Sequence, residues 1–241
     1  MKLDLFPSAA AKFRSGLILL VAFSLIASQV NAVCISAFEV EIQVALLDPK
    51  SGNALKDYSE VVVWLVPVRV LQPASLPKEF PHYRIMQHNK RFEPRLLVVP
   101  VGSTVEFRNR DPWFHSAFSF SNSMRFDLGP GEPGGRKAVI FNHPGAAYVF
   151  CDIHPEMEAV ILAVGSPYFG VSNKTGHILI NNVPPGTYSL HVWYENATSQ
   201  TLKGLRRAIV LDGDHRTPKI FIAMAKRVPI TNDNYEHLTR D

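Results

Sequence analysis

Short stretches of alternating apolar and polar residues fill most of the chain beyond about residue 35. A period of two is the pattern of half-buried β-strands, whereas a helix repeats its apolar positions every three to four residues. Helical periodicity is almost absent from this part of the chain. The pattern predicts strands at 38–46, 61–67, 95–100, 103–109, 137–141, 147–151, 158–164, 176–181, 187–195, 207–211 and 219–224.

Turn residues separate these segments. The connecting sequences are DPKSGN, NRDP, GPGEPGG, NHPG, NKTG and VPPG, all of which combine Gly, Pro, Asn or Asp. Many short strands divided by such turns are typical of an all-β sandwich. We therefore predict an all-β fold.

The first 32 residues have the features of a signal peptide. A basic start precedes an apolar run at 16–27, and small residues end at Ala32. The run is shorter than the ~20 residues that span a bilayer. We predict cleavage after Ala32 and export to the periplasm, so that the processed chain does not span the membrane. A lipoprotein beginning at Cys34 is the alternative.

The charge excludes one class of function. The whole chain carries a formal charge of +4, and removal of residues 1–32 lowers it to +2. This field is too small to indicate nucleic-acid binding.

One loop carries unusual chemistry. Residues 147–158 read AYVFCDIHPEME, which places Cys151, His154 and Met157 at intervals of three after a predicted strand. The sequence RNRDPWFHSAF places His115 just past the strand at 103–109. Two imidazoles, a thiolate and a weak axial thioether form the donor set of blue-copper sites. The alternative is two loop histidines, a core methionine and a buried thiol.

The second cysteine leaves another alternative open. Two cysteines in an exported protein usually form a disulfide. Cys34 lies beside the predicted cleavage site, where chains are usually loose, and Cys151 lies near a histidine and a methionine. We interpret Cys151 as the chemically special residue. A disulfide between Cys34 and Cys151 would abolish the metal site.

The segment 92–164 resembles a cupredoxin, most closely the amicyanin-like type. The matching motifs are VPVGSTVEF, the histidine at 115, FNHPG, CDIHPEM and the final strand AVILAV. With its trailing β domain, the chain is similar to bacterial proteins of the methylamine-utilisation-like type. The resemblance implies a cupredoxin Greek-key β-sandwich with one type-1 copper, whose ligands would be His115, Cys151, His154 and Met157.

The resemblance has further implications for the surroundings of the site. Ser116 stands where cupredoxins commonly have Asn; its backbone N–H is expected to point at the thiolate sulfur. His154 is expected to reach the surface through an apolar patch formed by Pro112, Trp113, Phe114 and Pro155. A buried aromatic anchor at the end of the sandwich is the alternative for the two aromatic residues.

The remaining histidines have simpler interpretations. We expect His143 in a turn, His191 on a strand face, and His82 and His88 at the surface, with a second weak metal site as the alternative for the last two.

A second small β-sandwich follows in the sequence. SNKTGHILINNVPPGTYSLHVWYE resembles a transthyretin-like or carboxypeptidase-regulatory-like domain, and residues 40–66 approximately match the opening strands of that family. We predict a cupredoxin domain at 80–165 inserted into a second domain at 35–70 and 166–225, followed by a flexible tail at 226–241. The alternative is an extended cupredoxin at 35–165 with a separate domain after it.

These features favour a periplasmic single-electron carrier. Its partner would be a redox protein such as a c-type cytochrome or a quinoprotein dehydrogenase. The alternatives are a non-redox copper-handling protein and a structural β-sandwich with an incidental metal site. We predict no enzymatic activity, since the sequence has no His-x-His pairs, phosphate-binding loop or serine nucleophile elbow.

Overall fold

The computed structural model describes residues 37–70, 82–217 and 219–225. The predicted signal peptide (1–32), Cys34 and the predicted tail (226–241) lie outside the described residues. Within the described part, no helix is long and apolar enough to cross a membrane.

The described chain is built almost entirely from strands, which confirms the all-β prediction. One short helix, α1 (Ser199–Gly204), begins after Thr198, whose side chain accepts a hydrogen bond from the amide of Thr201. The strands are β1 (Phe38–Leu47), β2 (Val62–Val70), β3 (His82–His88), β4 (Arg91–Glu93), β5 (Leu96–Pro100), β6 (Thr104–Asn109), β7 (Phe118–Phe120), β8 (Arg125–Asp127), β9 (Arg136–Ile140), β10 (Gly145–Phe150), β11 (Glu158–Val164), β12 (Phe169–Val171), β13 (His177–Val183), β14 (Gly186–Trp193), β15 (Arg207–Leu211), β16 (His215–Arg216) and β17 (Ile220–Ala223).

Two sheets use only strands between residues 82 and 164, and we call them the inner sandwich. One sheet has the order β4-β3-β6-β9 and the other β5-β11-β10-β7-β8. Their facing sides enclose an apolar cluster that includes Ile85, Phe107, Phe141 and Ile161. Residues alternate between this core and the opposite face along β6, whose burial pattern has a period of two.

Two further sheets form an outer sandwich. One sheet has β1 between β13 and β16, with β17 also pairing with β1, and the other has the order β12-β2-β14-β15. Strands that precede and follow the inner sandwich along the chain therefore share the same sheets. This is the arrangement that an insertion would produce. The boundaries of the two domains and the transthyretin-like assignment stay predictions.

The two sandwiches pack against each other through apolar side chains. Val98 and Leu162 of the inner sandwich and Val62 of the outer sandwich belong to one buried cluster, and Trp64 and Trp193 pack against it. Strand β11 is consequently covered on both faces, which explains its almost continuous apolar sequence EAVILAV.

An ion-pair group borders this cluster. Arg95 pairs with Glu158 of the inner sandwich and with Glu60 and Glu195 of the outer one. The burial of Arg95 would lower the pKa of its guanidinium, but the hydrogen bond and charge of Glu195, together with the charges of Glu60 and Glu158, outweigh this effect and raise the pKa. Arg95 therefore keeps its charge where the sandwiches meet.

Tyr188 offers a test of the outer core. Its side chain is fully buried, and its hydroxyl donates a hydrogen bond to the carbonyl oxygen of Pro184 at 2.7 Å. We expect Tyr188→Phe to lower the free energy of unfolding by about 1–3 kcal/mol, because a buried carbonyl loses its donor. Tyr58→Phe is the matched control, since the Tyr58 hydroxyl has no hydrogen bond within the described residues. Equal stability of the two variants in chemical denaturation would contradict this account.

The same tyrosine predicts a dependence on pH. Burial, with a smaller contribution from Tyr168, raises the pKa of Tyr188 to about 12, above the ordinary value near 10. The folded state therefore holds the proton more tightly than the unfolded state. Its contribution is complete below pH 10 and is lost as the pH rises to about 12. In Tyr188→Phe, the fall in stability over this range should be shallower.

Candidate metal centre

Two loops meet at one end of the inner sandwich. The first follows β6 and carries His115, which forms an isolated β-bridge with Gly131. The amide of His115 donates to the carbonyl of Gly131 at 3.2 Å, and the amide of Gly131 donates to the carbonyl of His115 at 2.6 Å. The second connects β10 to β11 and carries Cys151, His154 and Met157. A turn closes this second loop, since the amide of Met157 donates to the carbonyl of His154 at 2.9 Å.

The structure brings together three of the four predicted ligands as a cluster. The side-chain donor atoms of His115, Cys151 and His154 all lie within 4.8 Å of one another. The two Nδ1 atoms are 3.1 Å apart, and the ring planes are tilted by 58°. Cys151 is a free and fully buried thiol, not part of a disulfide.

Asp111 orients the first histidine. Its Oδ2 lies 2.8 Å from Nε2 of His115, and both side chains are buried. A carboxylate accepts, so Nε2 of His115 carries the proton and donates. In the neutral ring Nδ1 then has the lone pair, and this atom faces His154. The same carboxylate–imidazole arrangement orients histidines in metal sites.

Asp111 is itself fixed by the backbone. Its two carboxylate oxygens accept hydrogen bonds from the amides of Asn89 and Lys90 at 2.8 and 2.9 Å. Burial alone would raise the pKa of Asp111, but the hydrogen bonds from Lys90, His115 and Asn89 outweigh it, so the pKa lies below its usual value. Asp111 is therefore ionised beside His115.

Ser116 contacts the thiol of Cys151 and the residue that follows it. Its amide donates to Sγ of Cys151 at 3.4 Å, which confirms the expectation for this backbone N–H. The hydroxyl of Ser116 accepts from the amide of Asp152 at 2.9 Å and donates to the Asp152 carboxylate. Ser116 thus links the loop of His115 to the loop of Cys151.

Two buried amide side chains complete the support of the His115 loop. Asn109 donates to the carbonyls of Trp113 and Gly131 and accepts from the amide of Asp111. Gln87 of β3 donates to the carbonyl of Ser116 at 2.9 Å. The loop is therefore attached to two neighbouring strands of one sheet, β3 and β6.

The donor set fits a soft transition-metal ion. Two nitrogens, each about 2 Å from one ion, would lie roughly 3 Å apart, close to the observed separation. A buried thiol suits copper or zinc, and an imidazole pair suits both. Met157 is fully buried in the same apolar cluster as Cys151, and its role as the axial ligand stays a prediction.

The four other histidines interpreted from the sequence are not members of this cluster. His143 is exposed between β9 and β10, and His82 and His88 are exposed at the two ends of β3. His191 is on β14 and stacks on Trp64 at 5.2 Å. Within the described residues, the only group of three or more potential metal ligands is the one at His115, Cys151 and His154.

The four proposed ligands differ in their exposure to solvent. His115, Cys151 and Met157 are fully buried, whereas His154 is partly exposed. Trp113 and Phe114, beside His115 in sequence, are 43% and 54% exposed, and Ile153 is 45% exposed. The two aromatic residues are thus at the surface, and the interpretation as a buried anchor is wrong.

Solved structures similar to part of the chain include a nitrite reductase, a cupredoxin and an amicyanin mutant. A copper-containing nitrite reductase from Thermus scotoductus SA-01 is 28% identical over 41% of this chain and 25% of its own, with a TM-score of 0.34. A purple cupredoxin from Nitrosopumilus maritimus is 23% identical over 34% of this chain and 99% of its own, with a TM-score of 0.31. An oxidized amicyanin mutant is 19% identical over 34% of this chain and 82% of its own, with a TM-score of 0.33.

These similarities have defined limits. The chain spans about a quarter of the length of the nitrite reductase. No family model matches the chain, and no curated protein matches it in sequence. The described part of the chain is all-β and has a His-Cys-His cluster.

Asp111 provides a test of how the site is held. We expect Asp111→Asn to weaken copper binding by about 10–100-fold, because the neutral amide no longer fixes the His115 ring with a charged acceptor. Competition with a chelator of known affinity measures the change. Asp127→Asn is the control, since Asp127 is exposed on β8. Equal affinities of both variants would show that Asp111 does not position the ligand.

Proposed function

We propose that this protein is a type-1 copper protein that carries single electrons between redox partners. The observation that carries the proposal is a buried free thiol, Cys151, whose Sγ lies within 4.8 Å of the donor atoms of two histidines. Copper bound there would supply the one-electron change between Cu(II) and Cu(I).

The chain's own residues would hold the ion through different donors. Cys151 offers a soft thiolate, and the imidazoles of His115 and His154 suit both oxidation states. Met157 offers a thioether, the weak axial donor of such sites. The amide of Ser116, which donates to Sγ, would stabilise negative charge on the sulfur.

The surroundings favour fast transfer because they are rigid. Asp111 holds the His115 ring, while Asn109 and Gln87 hold its loop by side-chain hydrogen bonds. Donor atoms fixed in this way move little when the charge of the site changes. A small rearrangement lowers the barrier to electron transfer.

His154 would be the route for the electron. It is the partly exposed member of the cluster, and the exposed apolar side chains of Trp113, Phe114 and Ile153 are on the two loops that carry the ligands. An apolar surface of this kind favours brief contact with a partner over a small interface. A c-type cytochrome or a quinoprotein dehydrogenase would be a suitable partner, and the N-terminal sequence supports a periplasmic location.

The alternatives fit the site less well. A catalytic copper centre needs a place for substrate at the metal, whereas three of the four proposed ligands are fully buried. A copper-storage protein would offer several sites, and the part of the chain that the structure describes has one His/Cys/carboxylate cluster. We therefore propose a carrier and not an enzyme.

Cys151→Ser tests the proposed ligand set. The wild-type protein loaded with Cu(II) should show an intense visible band from charge transfer between sulfur and copper. The serine variant should lose this band even where the histidines retain copper, because its hydroxyl is a hard donor. Cys34→Ser is the matched control and should keep the spectrum. A Cys151→Ser variant that stayed blue, or colour that appeared only in Cys34→Ser, would refute the assignment.

Met157→Leu tests the axial position. Leucine fills a similar volume without a donor atom, so the variant should bind copper, and its reduction potential should rise because Cu(I) needs the fourth ligand least. Redox titration followed by visible absorption measures the potential. Met86→Leu is the control, since Met86 is on β3 outside the cluster. Equal potentials of wild type and Met157→Leu would remove Met157 from the ligand set.

A further inference from the structure

A group of basic residues lies beside the proposed copper site. We propose that this surface docks a redox partner protein through an acidic face; the inference rests on the proposed function and specifies the charge of the partner. The basic surface is defined by Lys90, Arg91, Arg108, Arg110 and Arg136.

Strand register places these residues together. The side chains that alternate with the buried Gln87, Phe92 and Phe107 lie on the outer face of the sheet β4-β3-β6-β9. Arg108 pairs with Met86 on one side and with Arg136 on the other. His88 pairs with Arg91, and Arg110 directly follows the residue of β6 that pairs with Gln87. The four arginines thus occupy two neighbouring rows at the sheet, and Lys90 lies in the adjoining β3–β4 turn.

These rows lie at the end of the sheet nearest the site. Strand β6 runs toward His115, and Arg108 and Arg110 are near its end. The β3–β4 hairpin turns at Asn89 and Lys90, both with positive φ, and the amides of these residues donate to Asp111. The carboxylate that orients His115 therefore also fixes the position of Lys90.

One contact joins the basic surface to the exposed aromatic side chains. The ammonium group of Lys90 lies 5.6 Å from the centre of the Trp113 ring, within cation–π distance. Trp113 is on the loop of His115 and is 43% exposed. A partner that touches the apolar surface near His154 would therefore meet Lys90 at its rim.

The charges of the basic surface are not neutralised by ion pairs. Arg84, on the same sheet face, pairs with Glu106 at 2.9 Å. None of the five cations of the basic surface has an ion pair within the described residues. The acidic residues of the same segments are Glu106, which pairs with Arg84, the buried Asp111, Glu93, which lies 4.0 Å from His88, and the exposed Glu132. Five cations against Glu93, Glu132 and Asp111 leave a local excess of two positive charges, since Arg84 and Glu106 neutralise each other.

The loop that carries Cys151 and His154 has the opposite charge. Asp152 and Glu156 are exposed on the loop of Cys151 and His154. This asymmetry would orient a partner, because its acidic side chains would approach Lys90 and avoid Glu156. Complementary charge raises association rates and fixes orientation more than it raises affinity. These are the properties that a carrier needs from a partner that must leave quickly.

Electron-transfer kinetics with a charged reagent test the proposal. Each reduced protein gives one electron to hexacyanoferrate(III), which becomes hexacyanoferrate(II), and stopped-flow absorbance follows the reaction. The test variant is Lys90→Gln/Arg91→Gln/Arg110→Gln. The control is Lys56→Gln/Lys174→Gln/Lys203→Gln, which removes the same charge from exposed residues of the outer sandwich. An intact visible spectrum shows that each variant is folded and loaded.

We expect the test variant to react about ten-fold more slowly than wild type at low ionic strength. The control should react nearly as fast as wild type, and the difference should vanish near 1 M salt, where the Debye length is about 3 Å. With tris(phenanthroline)cobalt(III), a cationic oxidant, the test variant should not be slower than wild type. If the test and control variants react equally slowly with hexacyanoferrate(III), only the net charge matters, and the proposal is overturned.

An acidic polymer tests whether the basic surface binds an extended acidic chain or only small anions. Poly-L-glutamate should compete with hexacyanoferrate(III) for wild type and control, and it should not affect the test variant. Lack of competition with wild type would mean that the surface attracts small anions only. Calorimetric titration with poly-L-glutamate gives the same comparison without electron transfer. A colourless protein that still binds the polymer through these three residues would thus refute the carrier function and leave the acidic-partner surface supported.

Discussion

The contact between Asp111 and His115 connects most of the functional features of this molecule. The carboxylate accepts from the imidazole and from the backbone of the β3–β4 turn, so one buried charge fixes a ligand and a hairpin together. Burying a carboxylate is costly unless hydrogen bonds compensate for the lost water. Here three donors do so, and the pKa of Asp111 lies below its usual value. The site and the basic surface beside it therefore share one anchor.

The second constraint is packing between the two sandwiches. Strand β11 directly follows the loop of Cys151, His154 and Met157, and apolar residues cover both of its faces. The loop therefore ends on a strand that is held from two sides. The ion pairs of Arg95 with Glu158 and Glu195 border the same region. The outer sandwich thus supports the ligand loop, although it contributes no residue to the cluster.

The strand pattern could be predicted from the sequence where strands are long and apolar. All eleven predicted strands overlap strands of the structure. Strands β3, β4, β7, β8, β12 and β16 were missed, because they are short or carry charged residues on an exposed face; HYRIMQH and RFE are examples. The spacing Cys-x-x-His-x-x-Met was visible, whereas the role of Asp111 was not. Its four-residue separation from His115 was a possible signal, but the hydrogen bond depends on the β3–β4 turn, which comes from a missed hairpin.

The central claim is that Cys151 and two histidines bind redox-active copper. The most direct test is the visible absorption of the purified protein with one equivalent of Cu(II), recorded before and after addition of a reductant and again after reoxidation. The account predicts an intense band that bleaches on reduction and returns on oxidation. A protein that binds the full equivalent of copper and remains colourless would contradict it, because the thiolate would then not be a ligand.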